Sequence, residues 1–224
     1  MFSLAVIIVA IIFLSFAINM LLLNSVGPFY RLFVVPGVIV HELSHAFACF
    51  ITGAKVTGIS MFKKDGGEVR HGKSSIPVLG SIIISTAPFI IGAVAIFLLS
   101  KLIGFRSINL LDYSFDPQNI VTLIKSTFGT LYLSSFRTWI SLYLVLSIAV
   151  TMIPSVQDMK NMLISLIILF MIVFVIYRFT SFRPDFNFLI QPEIIIVLTS
   201  VLFLLIIALF LSIIIFAVKN AFVH

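Results

Sequence analysis

Residues 32–53 read LFVVPGVIVHELSHAFACFITG, a stretch that is long enough and apolar enough to cross a membrane as a helix. Its ionisable side chains are His41, Glu42 and His45, apart from the thiol of Cys49. Titratable groups are costly in the hydrocarbon of a bilayer, so a group of three indicates a function. This stretch therefore predicts a transmembrane helix that carries a functional site.

His41, Glu42 and His45 form the pattern HExxH. On a helix, positions i and i+4 share one face and lie about 6 Å apart along the axis, so two imidazoles can bind one tetrahedral metal ion. Glu42 points about a quarter of a turn away and reaches a water molecule at the metal, which suits a general base. The pattern predicts one zinc ion per chain with Glu42 as the catalytic base. Two packed core histidines are the structural alternative.

The composition indicates a multi-pass membrane protein, because 61% of the 224 residues are hydrophobic and 10% are charged. The net charge is +6, but the 14 lysines and arginines are scattered singly between apolar runs. They are typical of membrane-flanking anchors, so we expect the lipid bilayer as a partner and no nucleic acid. The single cysteine, Cys49, allows no disulfide within the chain. It follows His45 by four residues and could be a ligand, although packing as a small apolar side chain is favoured.

Apolar runs of spanning length predict an all-α polytopic fold with about six transmembrane helices. We interpret residues 1–224 as a single transmembrane metalloprotease domain, and the first run as a retained helix because it lacks the basic start of a signal peptide. The predicted spans are 4–23, 31–53, 76–100, 136–153, 160–178 and 193–218.

Two polar connections stand out between the spans. Residues 54–75 alternate β-branched and polar side chains around Asp65-Gly66, which predicts a small β-hairpin. It could pair with an extended substrate by strand addition or could simply connect two helices. Residues 101–135 form a longer polar loop. Alternation of the spans puts the hairpin and the break after the fourth span on one side, so we expect both to border the entrance to the site.

A catalytic zinc ion has three protein ligands, so HExxH needs a third. The chain has 8 carboxylates, and apart from Glu42 only Asp158 lies outside both the polar loops and the start of the last span. Asp158 follows Pro154 in a short polar break between two apolar runs. Irregular backbone at membrane depth is tolerated where it is buried or lines a water-filled cavity. We therefore predict Asp158 as the third ligand, with capping of the next helix as the alternative.

These residues resemble the site-2 protease family of intramembrane zinc metalloproteases, through HELSH at 41–45 in the second span and the 154–158 segment after the fourth. The resemblance implies that His41, His45 and Asp158 hold zinc and that Glu42 is the general base. It further implies hydrolysis of peptide bonds within or near transmembrane segments of membrane protein substrates, as in regulated intramembrane proteolysis.

The chain departs from the family pattern at two positions near Asp158. Thr151 stands where the family usually has an asparagine before the proline, and Met159 follows Asp158 where a glycine is usual. Thr151 or Asn161 could replace the missing amide. We expect a minimal form without a PDZ or CBS domain, with the active site toward the cytoplasmic side. Two other functions remain open: a metal ion transporter or channel that uses the same cluster, and a catalytically inactive relative that binds membrane helices.

Overall fold

The structure is a computed structural model that describes residues 2–63, 66–104, 125, 134–153, 155–180 and 191–222. Six α-helices lie in this part of the chain, and a two-stranded antiparallel hairpin connects the second helix to the third. The predicted all-α fold with a small hairpin is thereby confirmed. The elements are α1 (Phe2–Val26), α2 (Tyr30–Ile51), β1 (Val56–Lys63), β2 (Gly66–His71), α3 (Pro77–Leu102), α4 (Phe136–Thr151), α5 (Val156–Phe179) and α6 (Pro192–Phe222).

Five of these helices, all except α4, are long and apolar enough to cross a membrane. The protein is therefore a multi-pass membrane protein. Helix α4 has 16 residues, which gives it a length of about 24 Å against a hydrocarbon layer of about 30 Å. It ends at Thr151, whose carbonyl oxygen contacts His41 in the middle of α2. Helix α4 thus stops inside the apolar layer.

Two predicted boundaries around the polar break differ from the observed ones. The fourth span was expected to reach residue 153 and the fifth to begin at 160, whereas α4 ends at Thr151 and α5 begins at Val156. The early start of α5 has a physical reason, because Ser155 caps its first turn. Pro154, at which the fourth span was expected to stop, lies outside the described residues.

Helices α1 and α6 pack side by side and form much of the core. The buried face of α1 includes Ile11, Ile18 and Leu22, which repeat at helical spacing. Lys219 Nζ donates to the carbonyl oxygen of Asn24 near the C-terminal ends of both helices. The two helices therefore run in the same direction, and both pack against α4.

Helices α2 and α4 approach closely at Gly37. A Cβ atom at this position would overlap the Ser147 carbonyl and the Thr151 hydroxyl, so a small residue is needed here. Gly37 N donates to Ser147 Oγ at 2.9 Å, and the Tyr143 hydroxyl donates to the Phe33 carbonyl at 3.1 Å. These bonds hold the end of α4 against the middle of α2.

The hairpin lies against α2 and pairs Val56 with His71 and Ile59 with Val69. Gly53, with φ of 68°, allows the chain to leave α2 toward β1. The turn residues Lys64 and Asp65 lie outside the described residues, as does most of the predicted polar loop at 101–135, of which only 101–104, 125 and 134–135 are described.

Candidate metal centre

Three predicted ligands meet between α2 and the first turn of α5. His41 Nε2 and His45 Nε2 are 3.3 Å apart, and His45 Nε2 is 3.4 Å from Asp158 Oδ2. One ligand atom from each of the three residues lies within 4.8 Å of the others. His41, His45 and Asp158 could therefore hold one metal ion.

The centre lies at membrane depth. His41 is near the middle of α2, so about 15 Å of helix separates it from either end. His45 is 8% exposed and Glu42 is 6% exposed, so the surrounding helices cover most of the HExxH face. A polar group of this kind in the middle of an apolar bundle needs partners, and the backbone supplies several of them.

Both imidazoles are oriented by backbone carbonyls. His41 Nδ1 lies 2.5 Å from the Thr151 carbonyl oxygen, and His45 Nδ1 lies 2.9 Å from that of Ile84. A carbonyl only accepts, so each Nδ1 carries the proton and donates it. Each Nε2 then keeps its lone pair, which is the arrangement that a metal-ligating histidine requires.

Asp158 is held by Ser155 in a reciprocal capping box at the start of α5. Ser155 Oγ accepts from Asp158 N at 3.1 Å, while Ser155 N and Ser155 Oγ donate to Asp158 Oδ2 at 3.1 and 2.6 Å. The same oxygen faces His45. Ser155 is thus the N-cap of α5, and Asp158 takes part in the cap from the third helical position while its carboxylate faces His45.

The break between α4 and α5 contributes twice to the centre. In a continuous helix Ser155 N would donate to the Thr151 carbonyl, four residues earlier. Here Ser155 N donates to Asp158 instead, and the Thr151 carbonyl accepts from His41. One interruption of the helix therefore presents a carboxylate to His45 and a carbonyl to His41.

Glu42 lines a cavity of about 970 Å³. No hydrogen bond from a described residue reaches its carboxylate. Gly67 of β2 lies so close that a Cβ atom there would overlap the Glu42 side chain. The glutamate is therefore covered on one side by backbone of the hairpin, and it lines the cavity without a hydrogen bond from a described residue.

The walls of the cavity come from α1, α2, the hairpin and the break after α4. Both polar connections that were expected to border the entrance contribute, the hairpin through Gly67 and the break through Ser155. Most of the remaining lining is apolar, including Val9, Phe13 and Phe16 of α1. The cavity reaches His41 and Glu42 at one side.

Several residues considered from the sequence lie elsewhere. Cys49 is buried in a small apolar cluster with Ala48, Ala54, Ile84 and Ala87, away from the group of possible ligands. The Thr151 hydroxyl donates to carbonyls of its own helix, and Asn161 Oδ1 accepts from Gln157. In the part of the chain that the structure describes, neither side chain forms a hydrogen bond with His41, His45 or Asp158.

Sequence reasoning missed three supports of the centre: Ser155 and the carbonyls of Thr151 and Ile84. Ser155-x-x-Asp158 is a recognisable capping-box spacing, so Ser155 could have been found. The two carbonyls had no such signal, because every residue carries one. No protein-family model, curated protein or solved structure matches the chain.

Proposed function

We propose that the protein is an intramembrane zinc metalloprotease that hydrolyses peptide bonds within or near transmembrane segments, in the manner of the site-2 protease family that it resembles. The observation that supports this most is the meeting of His41, His45 and Asp158 in the middle of a helical membrane protein. Glu42, from the same HExxH pattern, lies beside them on a cavity. A purely structural cluster would not need an acid with free oxygen atoms.

Two of the three distances between the ligand atoms suit zinc, and the third, between His41 and Asp158, is within 4.8 Å. Tetrahedral Zn–N and Zn–O bonds of about 2.0–2.1 Å separate ligand atoms by about 3.3–3.4 Å. The two contacts of His45 Nε2, at 3.3 Å to His41 and 3.4 Å to Asp158, correspond to two edges of such a tetrahedron. Two imidazoles and one carboxylate are also a ligand set that zinc favours and that leaves one position open.

Glu42 is the residue that moves protons in this proposal. His41, His45 and Asp158 would hold the zinc ion, which would supply a Lewis acid to polarise the scissile carbonyl and to make water more acidic. Glu42 accepts a proton from the attacking water and later delivers it to the leaving amine. No hydrogen bond from a described residue occupies the Glu42 carboxylate, which supports this role.

The cavity determines what kind of substrate can reach Glu42. Its apolar lining suits the side chains of a transmembrane segment, while the polar break provides a place for water. A helical substrate hides its carbonyls in hydrogen bonds and has to unwind locally before attack. Segments with helix-weakening glycine, proline or asparagine are therefore the expected substrates.

The test compares the wild type with Glu42→Gln in proteoliposomes that contain single-span segments with and without helix-weakening residues. We expect about one zinc per chain in both proteins and cleavage by the wild type only, because general base catalysis contributes about 10²- to 10⁴-fold. Glu193→Gln, at the start of α6, is the control and should cleave normally.

Other results would favour the other functions. Cleavage by Glu42→Gln at the wild-type rate would exclude Glu42 as the base. Zinc binding by the wild type without cleavage of any segment would support a helix-binding role. Uptake of zinc into the vesicles would support transport.

A further inference from the structure

We propose that Pro88 is a positioning residue for His45, because its lack of a backbone N–H leaves the Ile84 carbonyl free to accept from His45 Nδ1. This inference rests on the proposed metal centre and adds a residue of α3 to the groups that position it. Pro88 lies inside α3, four residues after Ile84, and both residues are buried. The distance from His45 Nδ1 to Ile84 O is 2.9 Å.

The register of α3 makes the relationship specific. In an α-helix the carbonyl of residue i accepts from the N–H of residue i+4, so the partner of Ile84 would be residue 88. Proline has no N–H, and its ring also pushes against the carbonyl four residues earlier. Among the helix positions, only a proline at 88 removes the donor that would compete for the Ile84 carbonyl. His45 supplies the replacement donor from α2.

The other histidine obtains its partner by a related route. The Thr151 carbonyl accepts from His41, while its own helical donor, Ser155 N, is engaged by Asp158. Each imidazole therefore meets a carbonyl whose usual donor at i+4 is missing or engaged elsewhere. The Thr151 carbonyl is freed because α4 ends there. The Ile84 carbonyl is freed by a proline, although α3 continues past it.

Prolines are common in membrane helices, so the presence of a proline in α3 is not informative by itself. A second proline inside a helix of the same chain provides a comparison. Pro36 lies inside α2 and leaves the carbonyl of Leu32 without its helical donor. Leu32 is exposed, at 69%, and lies more than two turns before His41. Pro36 is therefore a matched control, because it is an internal helix proline whose free carbonyl does not face a ligand.

Loss of the carbonyl partner should weaken metal binding in a defined way. The bond to Ile84 keeps the proton on Nδ1 of His45 and keeps Nε2 directed toward Asp158. Removal of such an orienting partner typically lowers metal affinity by about 10- to 100-fold. An alanine at 88 would provide an N–H to Ile84 and would leave His45 Nδ1 to share or lose that acceptor.

The experiment measures zinc affinity by competition with a chelator in the detergent-purified full chain, for the wild type, Pro88→Ala and Pro36→Ala. A fourth protein carries the α-hydroxy analogue of alanine at position 88, which forms an ester and has neither the ring nor the N–H. We expect about 10- to 100-fold weaker binding for Pro88→Ala. The ester protein and Pro36→Ala should stay within about threefold of the wild type, which corresponds to about 0.7 kcal/mol.

Two results would overturn the inference: wild-type affinity in Pro88→Ala, or an equal loss in the ester protein, which would make the ring the important feature. A second measurement does not depend on metal binding. In metal-free protein with ¹⁵N-labelled histidine, the Nδ1–H signal of His45 should show a strong hydrogen bond in the wild type and the ester protein and a weaker one in Pro88→Ala. Absence of zinc binding in the wild type would count against the proposed function, while this signal would still decide the role of Pro88.

Discussion

Ser155 and Asp158 hold each other at the first turn of α5 through three hydrogen bonds, and the oxygen that Asp158 uses is also the one that faces His45 at 3.4 Å. The Asp158 carboxylate thus takes part in the helix cap and is also a candidate metal ligand. The position of Asp158 depends on its neighbour three residues earlier, so Ser155 should influence the candidate metal centre without being one of its ligands.

Ser155→Ala should therefore weaken both the start of α5 and zinc binding. Loss of an N-cap side chain costs about 1 kcal/mol of helix stability, and loss of an orienting partner lowers metal affinity by about 10-fold or more. Zinc competition and thermal unfolding measure the two effects. Ser155→Thr keeps the hydroxyl and should remain close to the wild type. Unchanged affinity in Ser155→Ala would mean that Asp158 is positioned by the backbone of α5 alone.

Gly67→Ala should reduce peptide cleavage and leave zinc binding unchanged. The added methyl group would occupy space that the Glu42 side chain now fills, so the glutamate would have to move from its place beside the cavity. We expect a loss of at least about tenfold in turnover, which is within the contribution of a general base. The measurement is cleavage in proteoliposomes together with zinc content.

Gly58→Ala is the matched control for Gly67→Ala. Gly58 lies on β1 of the same hairpin, and a Cβ atom there would meet nothing within 4 Å. Both substitutions add one methyl group to a strand. Equal activity in the two variants would indicate that β2 can withdraw from Glu42 without consequence.

Removal of zinc should loosen the start of α5 more than the rest of the molecule. The centre joins α2 to α5, and the main helix that α5 packs against is α3. Ligand binding at 100 times its dissociation constant stabilises a folded state by about 2.7 kcal/mol. Hydrogen exchange with and without a chelator should show faster exchange over 156–161, with little change in α6. Uniform exchange across the chain in both states would contradict a structural link through the metal.

Cys49→Ala should retain about one zinc per chain. Although Cys49 follows His45 at helical spacing, its side chain packs among alanines and Ile84 on another part of the α2 face. The expected cost is a modest loss of stability from the smaller side chain. The zinc content of the purified variant shows whether Cys49 is a ligand. Asp158→Ala is the comparison, and it should lose the metal. Loss of zinc in Cys49→Ala would require a different ligand set.

The features that could be predicted from the sequence are those that residue types and their spacing indicate directly. HExxH at helical spacing, long apolar runs and the Asp-Gly turn indicated α2, the helical fold and the hairpin. Asp158 was reached by elimination because few carboxylates exist in the chain. The structure brings it to His45.

The remaining features depend on how elements meet in three dimensions. The length of α4 was overestimated because apolar residues continue beyond Thr151 to Ile153, while the helix ends where its last carbonyl turns to His41. The partners of His41 and His45 are main-chain atoms on two other helices, and hydropathy carries no information about them. The start of α5 is indicated by the capping-box spacing of Ser155 and Asp158. Boundaries placed by the lengths of apolar runs do not take such spacing into account.

The use of main-chain carbonyls to orient both imidazoles affects how this centre can change during evolution. A carbonyl is present whatever side chain a residue has, so positions 84 and 151 can accept many substitutions while the ligands keep their orientation. Selection would act instead on the residues that free those carbonyls, Pro88 and Ser155. Two lineages could therefore differ widely in the helices around the candidate metal centre and still preserve the same arrangement of His41, His45 and Asp158. Few positions outside HExxH and Asp158 would record that common ancestry.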